Sequence, residues 1–434
     1  MNPNLPRPVL HKFAAAVTLA LIACGPAHAQ QAYEQVDLKA SDLAPPTLLK
    51  GPTHTVDEKV TFENFMPRFT IRSTYGVWEA RGREMLDIRV SELSAFGQLN
   101  DVSKTDAFTS ALGKAVAQPV KVAGEFVQNP VDTTGNVVSG VGVMFGRAGR
   151  FVGSTASSAG DKIGGPDSAP PRAPIAATTA APEQGTAQPR TFLGDPLGYN
   201  KARRDWAQKL KVDPYTSNGP LSDKLGDVAK VTFAGTFSVG VGLGAVAAPL
   251  HYTTEAYSQG TLEAYQSPPI DVYKRNEERL NSMGVDSARV RALTRSGHFT
   301  PTLETTLVLA LQSLGRVEGR GDVVTFATRA ISELEARYIN NSVLLLAKYG
   351  RTTPLSRVRA FDRFIAGETR DGKLVIALPL DVIAWTEVVN TFATRSDLRG
   401  KERRLLVAGT VTPVAKQQLS ALGWDVQDKL VAAN

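Results

Sequence analysis

His251 and Glu255 stand one helical turn apart, the spacing at which a carboxylate orients an imidazole for proton transfer. A local carboxylate beside a half-exposed histidine is the simpler account of the pair. With His54 and His298 they complete the histidines that follow a leader-like N-terminus, and no two of the three stand three or four residues apart. That spacing excludes the short His motifs of zinc enzymes. GxSxG, HExxH, GxxxxGK[ST] and EF-hand patterns are all missing. Gly242–Ala247 fits GxGxxA, but the residues before it read as helix, where a dinucleotide site requires a strand. No cofactor is expected, and no carboxylate pair stands out as a glycosidase pair.

A second candidate comes from topology. Lys373–Leu378 (KLVIAL) reads as an apolar strand, Asp381–Ala393 as a helix and Arg404–Ala408 as a strand. Pro413–Leu422 is a helix stopped by Gly423, and Trp424–Leu430 a third strand. Strands alternating with helices predict a parallel βαβαβ unit, because parallel neighbours need crossover connections. Ligands of open parallel sheets bind beyond the carboxyl ends of the strands. The sequence places Asp381 at one such end and Gly409, Thr410 and Thr412 at another. The simpler role for Asp381 and Thr412 is to cap the helices that follow them.

Cys24 is the only cysteine, so no intrachain disulfide, iron–sulfur cluster or cysteine-rich zinc site is available. Its context is that of a leader. Arg7 and Lys12 precede the apolar run Phe13–Ala23, Pro26 breaks it, and Ala27-His28-Ala29 offers a small-x-small cleavage site before Gln30. The first acidic residue is Glu34. These features predict bacterial export to the periplasm or outer membrane, with residues 1–29 removed, or 1–23 if Leu21–Cys24 acts as a lipobox and Cys24 is lipidated. Loss of Arg7 and Lys12 lowers the net charge of +7 by two, a mild balance that argues against nucleic-acid binding.

The elements that must position these residues divide the chain as follows. Residues 33–112 form a small α+β module, with a strand pair near Thr70 and Val77 and a helix over Arg83–Leu99. Residues 113–163 are a glycine-rich amphipathic segment. Residues 164–190, rich in proline and alanine, form a disordered linker. Residues 191–366 form a helical domain, and 367–434 the C-terminal α/β unit. Within the helical domain, Asn200–Val212 is a helix and Pro220 starts another. Asp271 caps a helix ending near Gly284, and Thr300-Pro301 starts the next. Asp322 caps a long helix to Tyr349, with the centre of the domain at Asn340–Ala347. Val231–Leu250 carries no charge and reads as a core helix, with membrane insertion the alternative. The fold class expected is α+β and mostly helical: a small N-terminal strand pair plus helix, a central helical domain and a C-terminal βαβαβ unit.

Three functions fit this reading. The first is a non-catalytic envelope scaffold or adaptor that binds partner proteins through the helical domain. The second is an envelope hydrolase with its site at the C-terminal βα loops. The third is a membrane-active or toxin-like protein that uses the two glycine-rich segments, within 113–163 and 231–250; lipidated Cys24 or residues 231–250 would hold the chain to a membrane. Whether the chain is an enzyme stays open at this level.

Overall fold

A computed structural model describes residues 33–63, 65–117, 198–233, 255–398 and 402–430. Of these, 54% are helical and 19% lie in strands, a mixed α+β fold with a helical majority. Cys24, the glycine-rich segment beyond residue 117, the linker at 164–190, His251 and most of Val231–Leu250 lie outside the described residues.

Two short helices open the N-terminal module, α1 (Ala40–Leu43) and α2 (Pro46–Leu49). The strands β1 (His54–Val56), β2 (Thr61–Glu63), β3 (Met66–Ser73) and β4 (Gly76–Arg81) then form a sheet, where the sequence suggested only a pair. β3 alternates buried and half-exposed residues, turning Phe69 and Ile71 onto α3 (Gly82–Ser103) through Leu86 and Leu93. Each such side chain contributes about 1.5–3 kcal/mol when fully buried.

After α4 (Asp106–Ala117) come α5 (Tyr199–Leu210) and α6 (Gly219–Phe233). Their apolar faces meet the end of α3 around Trp206, whose indole N–H donates to Thr232 Oγ1 at 2.8 Å. α7 (Glu255–Gln266), α8 (Pro269–Ser282), α9 (Ser287–Arg295), α10 (Pro301–Ser313), α11 (Arg320–Ala327) and α12 (Glu333–Gly350) follow. Thr300 caps α10 as its sequence requires, its hydroxyl accepting from Leu303 N at 3.2 Å. Asp271 and Asp322 are not caps. They lie in the first turns of α8 and α11, behind Pro268 and Gly319, where their charge still favours the positive helix end.

The long helix expected over Asp322–Tyr349 is in fact two. Ser332 accepts from Glu335 N at 3.2 Å, and Glu335 Oε2 accepts from Ile331 N at 2.8 Å. This Ser-x-x-Glu arrangement starts a new helix in the middle of the apolar run.

The C-terminal region is a five-stranded sheet in the order β11-β9-β7-β6-β5. β5 (Leu355–Phe361) and β6 (Phe364–Thr369) form a hairpin whose turn residue Asp362 takes a left-handed φ of 54°. β7 (Leu374–Leu378) is buried along its whole length at the sheet centre. β7 pairs in parallel with β9 (Arg403–Val407), and β9 with β11 (Trp424–Gln427). The crossovers carry α13 (Glu387–Ala393) and α14 (Pro413–Ala421), so the expected βαβαβ unit is present and extended by the hairpin. Two extra strands, β8 (Val382–Ile383) and β10 (Thr410–Val411), pair in parallel inside these crossovers. The helix expected from Asp381 therefore starts later, with Thr386 as its cap, because Val382 and Ile383 are taken up by this pairing.

Gly409 permits that pairing. A Cβ there would stand 1.9 Å from the carbonyl oxygen of Asp381, a backbone atom that cannot rotate away. Gly409→Ala is expected to cost about 1–3 kcal/mol, the usual penalty of overpacking, read as a lower thermal midpoint. An unchanged midpoint would show that β8 and β10 separate freely.

Candidate functional site

The expected rim residues do come together at the carboxyl ends of the parallel strands. Thr410 N donates to the Asp381 carbonyl at 2.8 Å, and Thr412 N to that of Ile383 at 2.9 Å. Their side chains, however, serve different neighbours. The Asp381 carboxylate accepts from Arg83 N at 2.8 Å, in the first turn of α3. It caps a helix, but one from the opposite end of the chain. Gly82, at φ 79°, makes the approach possible, since a Cβ there would lie 3.1 Å from Asp381 Oδ2 and closer still to Met66 Cε. Burial raises the Asp381 pKa to about 6 against the opposing pull of the Arg83 N–H and charge.

Thr412 caps α14, accepting from Ala415 N at 3.2 Å. Its hydroxyl proton goes to Glu34 Oε2 at 2.6 Å, which also accepts from Trp385 N at 2.5 Å. Glu34 N donates in turn to the Trp385 carbonyl at 2.8 Å. A carboxylate from the N-terminal segment thus occupies the place where open α/β sheets hold ligands. Glu255 opens α7, and its pairing with His251 falls outside the described residues.

A second polar cluster joins α3, the loop before α6 and the start of α12. Glu84 accepts from Arg337 at 2.9 Å and Asn341 at 2.7 Å. Arg337 Nε donates to Glu333 Oε1 at 2.7 Å. The other Glu333 oxygen accepts a short hydrogen bond from the exposed Ser217 hydroxyl, which accepts from Arg89 at 3.2 Å. Arg89 pairs with Glu92, and Asn218 Nδ2 donates to Glu92 Oε2 at 3.0 Å. Nearby, Asp213 accepts from Tyr215 N at 2.8 Å and from Thr302 Oγ1 at 3.0 Å.

The cluster separates its carboxyls electrostatically. Burial alone would raise Glu333, but the Arg337 and Arg89 charges and the Ser217 and Arg337 hydrogen bonds lower it to about 2. Burial raises Asp213 to about 6, with the Glu333 charge adding to the rise. His298 is lowered by burial against the pull of Glu333. Glu333 therefore stays ionised where Asp213 takes a proton near pH 6.

No family model, curated protein or solved structure matches this chain. Among the described residues no three His, Cys, Asp or Glu side chains converge as a metal site, and no helix is long and apolar enough to cross a membrane. A groove of about 260 Å³ lies between α8 and α9. Ile270, Tyr273 and Val290 line it together with the charged side chains of Lys274, Glu277, Arg291 and Arg295.

Glu34, Glu84, Asp213, Ser217 and Glu333 had no place among the residues expected at a site. One sequence signal did exist for the second cluster. Asn340-Asn341, two amides inside the apolar centre of α12, demand polar partners. Asn341 finds Glu84, and Asn340 Nδ2 donates to the Leu303 carbonyl at 2.8 Å.

Proposed function

We propose that this chain is a non-catalytic scaffold of the bacterial cell envelope that binds partner proteins through its helical region. The observation that carries the reading is the groove between α8 and α9. Tyr273 and Val290 are buried in its floor, and Ile270 stands 48% exposed at its mouth, an apolar anchor left open to solvent. Three cations against one carboxylate line the walls. That combination suits an acidic amphipathic segment, whose apolar face seats on the floor while its carboxylates meet the basic rim. The buried Arg337–Glu84 ion pair and the Asn341–Glu84 hydrogen bond between α3 and α12 support the reading, since they hold segments distant in sequence as one platform.

Fluorescence anisotropy of the full chain with labelled acidic and charge-inverted amphipathic peptides tests it. The acidic series is expected to bind, more weakly as salt rises. Joint Arg291→Glu and Arg295→Glu replacement is expected to weaken binding by about tenfold or more, since like charges then face each other across the interface. Both side chains are exposed, so the fold is left intact. Equal binding of the two peptide series, or indifference to the charge reversal, would overturn the proposal.

A second reading, an envelope hydrolase, is favoured by the opposed pKa values of Glu333 and Asp213 beside the exposed Ser217 hydroxyl. It requires turnover of ester or glycoside substrates that Glu333→Gln and Asp213→Asn both remove. A chain inert towards such a panel that still binds acidic peptides leaves the scaffold alone.

A further inference from the structure

We propose that the rim formed by Trp385 and Thr412 is a recognition site for an extended peptide bearing a carboxylate, and that the segment around Glu34 is its built-in, exchangeable ligand, which a second copy of the chain can supply in trans. This site is separate from the groove between α8 and α9, so neither proposal depends on the other.

The rim has the chemistry of a peptide site. It offers a backbone N–H and a hydroxyl to one carboxylate oxygen, and a backbone carbonyl to the N–H of the same residue. A residue that is both extended and acidic satisfies all three. Asn390 Nδ2 adds a contact at 3.4 Å to the hydroxyl of the preceding Tyr33. Trp385, which supplies two of the contacts, is itself 1% exposed, and its indole N–H is buried without a hydrogen-bond partner.

The ligand is lightly held. Residues 33–39 alternate between exposed and half-exposed, and none is buried. Glu34, Val36 and Leu38 face inward while Tyr33, Gln35, Asp37 and Lys39 face solvent, the period of an extended strand. The next firm attachment is at Ala40, whose N–H donates to the Glu58 carbonyl at 2.9 Å. Between the two anchors the segment lies on the surface, and a copy of it from another chain would present the same groups in the same register.

The test uses the full chain carrying Glu34→Ala and a dye-labelled peptide of residues 30–39. The variant is expected to bind the peptide. The unaltered chain should bind it about tenfold more weakly or worse, because its tethered segment competes at millimolar effective concentration. A peptide with alanine in place of its glutamate should lose binding. Adding Thr412→Asp, which keeps the cap of α14 but sets a carboxylate against the peptide's own, should abolish it. If Glu34→Ala does not melt like the unaltered chain, Glu34→Val, which favours the same extended backbone but supplies no acceptor, takes its place. A folded variant that binds no peptide, or that binds the alanine peptide equally well, overturns the proposal.

Discussion

Arg337→Ala is expected to lower stability by about 3–5 kcal/mol, the cost of stranding buried charges by removing their partner. The Arg337 side chain is 7% exposed and ties together Glu84, at 11%, and Glu333, at 23%. Truncation leaves both carboxylates with their desolvation cost and without their shared cation. In a chain of this size the thermal midpoint should fall by about 3–6 °C. Arg337→Lys should fall between the two, since an ammonium keeps the charge but cannot fork to two carboxylates. Lys201→Ala supplies the contrast. Its partner Asp205 is one turn away on an open helix face, and its own side chain is 69% exposed. An exposed pair of that kind contributes about 0.3–0.5 kcal/mol. Urea unfolding of the three variants decides the matter. A loss below about 1 kcal/mol for Arg337→Ala, no more than a surface pair gives, would show that Glu84 and Glu333 find other partners.

The same residues show where sequence reading stops. Signals confined to a few neighbouring residues were legible. Thr300-Pro301 started α10, Gly423 ended α14 at a left-handed φ of 82°, and the continuous apolar run KLVIAL became the central strand β7. Local signals that were present but outweighed account for the misreadings. Ser332-x-x-Glu335 lies inside a run whose apolar spacing alone predicts one helix. The β5–β6 hairpin turns on Asp362, a residue that tolerates the left-handed region but does not announce it as glycine would.

The clusters belong to another class. Glu84 meets Arg337 across 253 positions, and Glu34 meets Thr412 across 378. No local pattern encodes such pairs. Glu84 and Arg337 read alone are ordinary surface charges, and only the meeting of α3 with α12 buries them together; Glu34 and Thr412 are paired only by the return of the N-terminal segment to the sheet. Topology could point to the strand ends as a site, and Asp381, Thr410 and Thr412 do lie there together. It could not say that Arg83 and Glu34 would arrive from the other end of the chain to fill it.

Asp381→Asn is expected to make the protein more stable at neutral pH. The sign follows from proton binding. Asp381 and Asp213 are raised to about 6 in the folded chain, so between about pH 4 and 6 the folded state binds more protons than the unfolded one, and stability falls as pH rises through that window. Glu333 acts in the opposite sense. Lowered to about 2, it contributes fully above about pH 4.5 and less as pH falls below that value. The unaltered chain should therefore be most stable near pH 4–5, where the two windows meet. Asparagine keeps an oxygen for Arg83 N and carries no charge to desolvate, so it removes the share of the decline that Asp381 causes. A rise of about two pH units corresponds to roughly 3 kcal/mol, and the amide adds a buried N–H group of its own, so the net gain near pH 7 is about 1–3 kcal/mol. Near pH 4, where the native carboxyl is already protonated, the variant and the unaltered chain should differ by less than about 1 kcal/mol. Urea unfolding at both pH values measures the difference. If the two chains lose the same stability between them, the buried carboxyl of Asp381 is not what the pH profile reports, and Asp213 must carry the decline.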